Sequence, residues 1–258
     1  MDPATLIGVA VALVAIVASM IMEGSSPMAI ILLPPIILVF VGTFGAAIAG
    51  STMADVKKLG GWFKMGLMPV AVPPATEQIQ TLVTLAEKAR KEGLLALEAS
   101  IKAIEDAFLQ RGLQMAVDGT DPEDLRTVLE SEIAAKKAED KVAAKFFTAM
   151  GGYAPTIGII GTVIGLIHVL ENLNKPETLG HLIAAAFVAT LWGVLSANVF
   201  WLPMAAKITR TSDLQAAQMT LLVEGISEIQ AGTSPRTVRQ KLTSLVPPSE
   251  AAAAAAAA

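Results

Sequence analysis

The chain has 258 residues, a formal net charge of −4, no cysteine and a hydrophobic content of 53%. The missing thiol excludes disulfides, thiolate catalysis and thiolate metal sites. The small charge, with acids and bases interspersed in the polar block, leaves no electrostatic footprint for nucleic acid.

Four uncharged runs organise the sequence: 3–22, 27–54, 146–170 and 178–206. A hydrocarbon core of ~30 Å needs about 20 apolar residues, so each run can span a membrane. The pattern predicts an all-α polytopic membrane protein with four transmembrane helices and a cytosolic helical domain between the second and third. Lys and Arg number 13 between Ser51 and Lys145 and five after Ala206, against one between Glu171 and Leu179 and none between Glu23 and Ser26. Basic residues stay cytoplasmic, which places the N-terminus, the central block and the C-terminus inside. The first run lacks a basic flank and a small-residue cleavage site, and so reads as a retained span rather than a signal peptide.

The expected parts follow in chain order. Residues 1–54 form a transmembrane hairpin closed by the short outer turn 23–27, with Pro34 and Pro35 kinking its second arm. The cytosolic domain, 55–145, opens with a segment, 55–74, in which Lys57, Lys58, Trp62, Phe63 and Lys64 suit the inner headgroup layer and Pro69, Pro73 and Pro74 mark its end. From Ala75 the period turns helical, with Leu97, Ile101, Ile104 and Phe108 as one apolar stripe. After a turn at Asp118-Gly119, Asp121 caps and Pro122 starts a helix that can run unbroken into the third span, with Gly151-Gly152 as the alternative break. A second hairpin fills 146–206. Pro203 taken alone terminates its last helix. The tail, 207–250, carries Leu214, Met219, Leu221, Leu222 and Ile226 for packing on the cytosolic domain and ends polar and proline-rich. The polyalanine 251–258 reads as a tag or as residues without identity.

The spans contain no Asp, Glu, Lys or Arg at bilayer depth. A proton or cation pathway in lipid needs an ionisable group, so a second chain must supply it if ions move here. What this chain offers is a lining. Pro155, Gly158, Thr162 and Gly165 share one face of the third span, with Gly161 beside them. Ala185, Ala189, Gly193 and Ala197 repeat every fourth residue on the fourth span, which permits close helix approach. Thr162 and Thr190 are the polar candidates for a permeation path; the bland alternative is that each hydroxyl bonds a carbonyl of its own helix. His168 and His181 read as interfacial packing residues, and no metal site or cofactor is expected. No nucleophile–base constellation, metal cluster or phosphate loop points to an enzyme, and no repeat with broken helices points to an ordinary transporter.

Pro155-Thr-Ile-Gly158-Ile-Ile-Gly161-Thr162-Val-Ile-Gly165-Leu, Arg90-Lys-Glu-Gly-Leu-Leu-Ala-Leu-Glu98, Val117-Asp-Gly119 and Thr190-Leu-Trp-Gly193 together resemble the flagellar motor stator A subunit, the MotA/PomA family. The likeness runs from the first span to the tail. Its third-span motif is shared with the wider ExbB/TolQ superfamily, whose members energise outer-membrane processes and normally carry three spans with the insertion after the first.

The resemblance implies a pentamer of this chain around a dimer of one-span MotB/PomB-type subunits, each with a membrane aspartate and a peptidoglycan-binding domain. It implies residence in the bacterial inner membrane and ion-driven rotation of the rotor through the switch protein FliG. It further implies that Arg90 and Glu98 make the charged rotor contact and that Pro155 and Pro203 couple ion flow to movement. By themselves Arg90 and Glu98 are ordinary solvated helix charges. Thr162 matches sodium-driven members, whereas Ala189, where some of those carry a second threonine, points the other way. The coupling ion stays open between proton and sodium.

Overall fold

The computed structural model describes residues 2–70 and 72–251. The polyalanine beyond Ala251 lies outside the described residues. In chain order the helices are α1 (Pro3–Met22), α2 (Leu33–Ala49), α3 (Met53–Leu67), α4 (Ala75–Glu92), α5 (Glu98–Ile101), α6 (Ala107–Val117), α7 (Pro122–Glu171), α8 (Pro176–Ser196), α9 (Leu202–Gln230) and α10 (Pro235–Ser244). No strand occurs among the described residues. They form two compact units: residues 2–70 with 140–210, and 72–139 with 211–251.

The first unit holds the apolar helices. By length and hydropathy α1, α7 and the continuous helical run Pro176–Gln230 are long enough to cross a membrane, while α2 has 17 residues. None of the residues of α1 is buried, as expected of a helix solvated by lipid on most sides. Pro34 and Pro35 do not kink a long helix. They occupy the first turn of α2, where a missing N–H breaks no hydrogen bond, and a separate 3₁₀ turn, Pro27–Ile30, precedes them. The run 27–54 is therefore divided, and it ends at Gly50 before a new helix starts.

That helix, α3, begins with a reciprocal cap: Asp55 N–H donates to Thr52 Oγ1 at 3.3 Å and Thr52 N–H to Asp55 Oδ2 at 3.2 Å. Its lysines Lys57, Lys58 and Lys64 are exposed. Its aromatics turn inward instead of joining them. Trp62 packs on Phe146 with ring centroids 5.6 Å apart, and Phe63 meets Phe147 edge-on at 5.1 Å. These rings, with Phe44, Met150 and Trp201, make the core of the unit.

The second unit is an aqueous-type core of Ile79, Leu82, Leu97, Leu113, Leu125, Leu129, Leu222, Ile226 and Ile229, all fully buried. The four residues expected on one stripe do bury their side chains, except that Ile104 is only partly covered. They do not share a helix. Gly93, at φ +85°, ends α4, and a 3₁₀ turn, the short α5 and a bend carry the chain to α6. Only glycine holds such a φ without strain. Asp106 caps α6 through the N–H groups of Phe108 and Leu109, both at 2.9 Å.

Asp121 caps the start of α7, accepting from Glu123 N–H at 2.9 Å, and the helix then runs 50 residues through Gly151, Gly152 and Pro155 without a break. Pro203 does not end its helix either. A wide turn with i→i+5 bonding, Ala197–Trp201, lies just ahead of it, and α9 continues to Gln230. Such a turn re-partners the carbonyls that a proline leaves unbonded. The polar end of the tail contains α10, which sequence polarity concealed; Ser234 caps it and Val238 and Leu242 are buried.

Candidate functional site

Glycine and alanine line much of the seam where α7 and α8 face each other, and the backbones close to contact. A Cβ built on Gly158 would lie 2.8 Å from the Ala189 carbonyl oxygen and 3.2 Å from Gly193 Cα. One on Gly193 would lie 2.6 Å from the Ala154 carbonyl oxygen and 3.2 Å from Pro155 Cα. Gly165 meets Ala186, and Gly161 meets both Ala189 and Leu38 of α2. Ala189, Gly193 and Ala197 are buried and Ala185 is half-buried.

Within this seam the two threonines face each other. Thr162 Oγ1 lies 2.5 Å from Thr190 Oγ1, 3.1 Å from the Ala186 carbonyl and 3.2 Å from the Gly158 carbonyl, and Thr190 Oγ1 lies 3.4 Å from that Gly158 oxygen. Two hydroxyls have two protons to donate, so these four contacts cannot all be hydrogen bonds at once. One proton joins the threonines and the other goes to a carbonyl. The bland alternative for Thr162, a bond to its own helix, is thus one of several it can make. Both residues are half-buried.

Other features of the unit had weak signals or none. Ala186, which both accepts from Thr162 and abuts Gly165, was one position away from the expected stripe at Ala185. Trp192 Nε1 donates to the Ile30 carbonyl at 2.7 Å and ties α8 to the 3₁₀ turn before α2, a contact that no spacing encodes. Lys207, one turn beyond Pro203, pairs with Asp2 at 3.2 Å and donates to Thr5 at 3.0 Å. Its hydrogen bond and charge hold the Asp2 carboxyl below the usual carboxylate range. Pro203 is exposed and Pro155 half-buried. His168 and His181 are exposed, His168 lying 3.5 Å from Glu171. Among the described residues no group of three or more His, Asp or Glu could hold a metal ion.

In the second unit Arg90 lies in the last turn of α4 and Glu98 at the start of α5, both exposed, on either side of the turn at Gly93. Lys88 Nζ donates to Ser100 Oγ at 2.8 Å and fastens α5 back onto α4.

An all-helical fold whose apolar helices pair through glycine and alanine, with two hydroxyls meeting in the seam, is that of a helical membrane protein. The profile of the MotA/TolQ/ExbB proton channel family matches residues 100–221. The chain is 37% identical over 247 residues to motility protein A of Bacillus subtilis, covering 96% of this chain and 92% of that one. It is 33% identical over 250 residues to motility protein A of Helicobacter pylori, covering 97% of each. The chain belongs to the motility protein A family of flagellar stator subunits. Its fold superimposes on a chain of the flagellar MotAB stator complex from Bacillus subtilis with a TM-score of 0.89 at 36% identity, and on one of C. jejuni MotAB with a TM-score of 0.90 at 29% identity, covering 96% of this chain in both.

Proposed function

We propose that the chain is the ring-forming subunit of an ion-driven stator, a pentamer around a dimer of one-span subunits that bring the membrane aspartate and a peptidoglycan anchor. Its four apolar segments span the inner membrane with both termini and the central domain in the cytoplasm. Thr162 and Thr190 line the ion path, Pro155 and Pro203 relay local rearrangement along their helices, and Arg90 with Glu98 meets the rotor switch protein. The work is movement rather than covalent chemistry.

The carrying observation is the hydroxyl pair in a seam otherwise made of glycine, alanine and carbonyl oxygens. Oxygens of this kind can replace the water of a passing ion, and they can also bond one another when it has left. One charge crossing 100 mV releases ~2.3 kcal/mol, enough to exchange hydrogen-bond partners between packed helices but not to unfold one.

The test is complementation of a stator-deleted host with this chain and its one-span partner. Swimming should return and depend on the ion gradient, and Thr162→Ala or Thr190→Ala should lower motor speed or shift its dependence on sodium or pH, whereas Thr148→Ala should not. If the parent restores swimming and both variants turn like it under every ion condition, the lining lies elsewhere.

A further inference from the structure

Leu95 stands apart in the second unit. The residue is 72% exposed, the most open of the large apolar residues described in that unit, where Leu245 at 54% and Val128 at 50% come next. A soluble surface tolerates single exposed leucines, so exposure alone decides nothing. The surroundings do. The turn that carries Leu95 is held on every side: Leu97 and Ile101 are buried in the core, Leu94 packs against it, and Gly93 at φ +85° fixes the direction in which the chain leaves α4. The Ala96 N–H donates to the Gly93 carbonyl at 3.2 Å, and Lys88 pins α5 through Ser100. An apolar side chain is therefore presented on a rigid pedestal rather than on a loose loop. Along the chain it is flanked by exposed charges of both signs, Arg90, Lys91, Glu92 and Glu98.

An apolar anchor within a charged rim is the arrangement in which a small interface concentrates its affinity, because the rim steers and excludes water while the anchor supplies the desolvated contact. We propose that Leu95 is the apolar anchor of the rotor contact, inserting into an apolar recess of the rotor switch protein whose edges carry charges complementary to Arg90 and Glu98. The inference rests on the rotor-contact reading of those two residues and adds to it a distinct, uncharged determinant. Rim charges govern association and its salt dependence, whereas the anchor governs how long a stator stays engaged.

The experiment follows fluorescently tagged stators at single motors in a complemented strain. Leu95→Ser should lower stator occupancy and dwell time by about tenfold or more, Leu95→Met should retain both, and the loss should persist across ionic strengths. Arg90→Glu should instead give a loss that varies with ionic strength. A photo-crosslinking residue placed at position 95 in the otherwise parental chain should join the rotor switch protein in cells, identified with an antibody to it. Parental occupancy in Leu95→Ser, or a crosslink only to another copy of this chain, overturns the inference. If Arg90→Glu with Glu98→Lys also turns like the parent, the rotor-contact reading itself falls; if those lose function and Leu95→Ser does not, only the anchor does.

Discussion

Between α7 and α8 the backbones approach until a methyl group has no room, whereas the core of the second unit is filled by leucine and isoleucine side chains with almost no exposure. The difference follows from the solvent. In lipid, apolar side chains gain nothing by leaving a medium as apolar as themselves, so helices associate through close contact and through hydrogen bonds such as that between Thr162 and Thr190. In water the same side chains are driven together, and volume decides stability. One region is sensitive to added atoms and the other to removed ones.

The sharpest way to break this contrast is to add atoms to the seam. Gly158→Val and Gly193→Val drive new carbons into carbonyl oxygens and Cα atoms of the opposite helix, which cannot give as a flexible side chain can; a loss of ~3 kcal/mol or more is expected, with no assembled complex in detergent and no swimming. Gly45→Ala, which meets nothing within 4 Å, should assemble like the parent. Removing atoms from the other core comes next. Leu113→Ala should destabilise the second unit by ~2–5 kcal/mol, read as a lower unfolding midpoint by circular dichroism, while Leu95→Ala shifts it by no more than ~0.5 kcal/mol.

A smaller effect concerns the hydroxyl pair. Thr162→Val and Thr190→Val should each cost about 1 kcal/mol of complex stability, and the double variant should cost less than their sum, since either alone removes the shared bond. Strict additivity in that cycle would show that the hydroxyls are not partners.

The smallest effect is one of pH. Burial pushes the Glu228 carboxyl up, but the hydrogen bond and charge of Lys241 help outweigh it and hold the group below its ordinary value of 4.5. A carboxylate with a depressed folded-state value lends stability above the ordinary value and loses it as pH falls through the depressed one. Lys241→Met should lower the unfolding midpoint at pH 7 by the equivalent of about 1 kcal/mol or less, and the difference from the parent should shrink once pH falls below the ordinary value and vanish when the carboxyl is protonated in the folded chain. An equal deficit at both pH values would assign the effect to packing instead.

The sequence made the long elements legible because their signals are cumulative. Charge-free runs marked α1, the second half of α7 and α8, and Asp121-Pro122 marked where α7 begins. Single residues that redirect hydrogen bonds were harder to read. Pro34 and Pro35 start a helix, Pro203 lies inside one, and Gly93 ends α4 ahead of the stripe, whose Leu97, Ile101 and Phe108 then fall in a 3₁₀ turn, α5 and α6 because the chain turns again before the Asp106 cap. The type of residue states which bond is lost but not where its partner goes. The site was visible as faces of small residues and two hydroxyls; that the hydroxyls meet depends on the axial register of α7 against α8, which spacing along one chain does not contain.

The wide turn at Ala197–Trp201 also sets phase. Ala189, Gly193, Ala197, Trp201 and Ala205 are all buried, four residues apart each time. In an α-helix at 3.6 residues per turn, four such steps drift by about 160°, almost to the opposite side. A turn with longer-range bonding winds more slowly and takes up part of that angle, so the helix keeps one face inward past the place where regular geometry would have carried it away. The segment acts as a slip joint whose setting is a residue count. Deleting one residue there would turn the remainder of the helix by roughly 100° and point Ala205 and Ile208 at lipid or water, whatever side chains were kept.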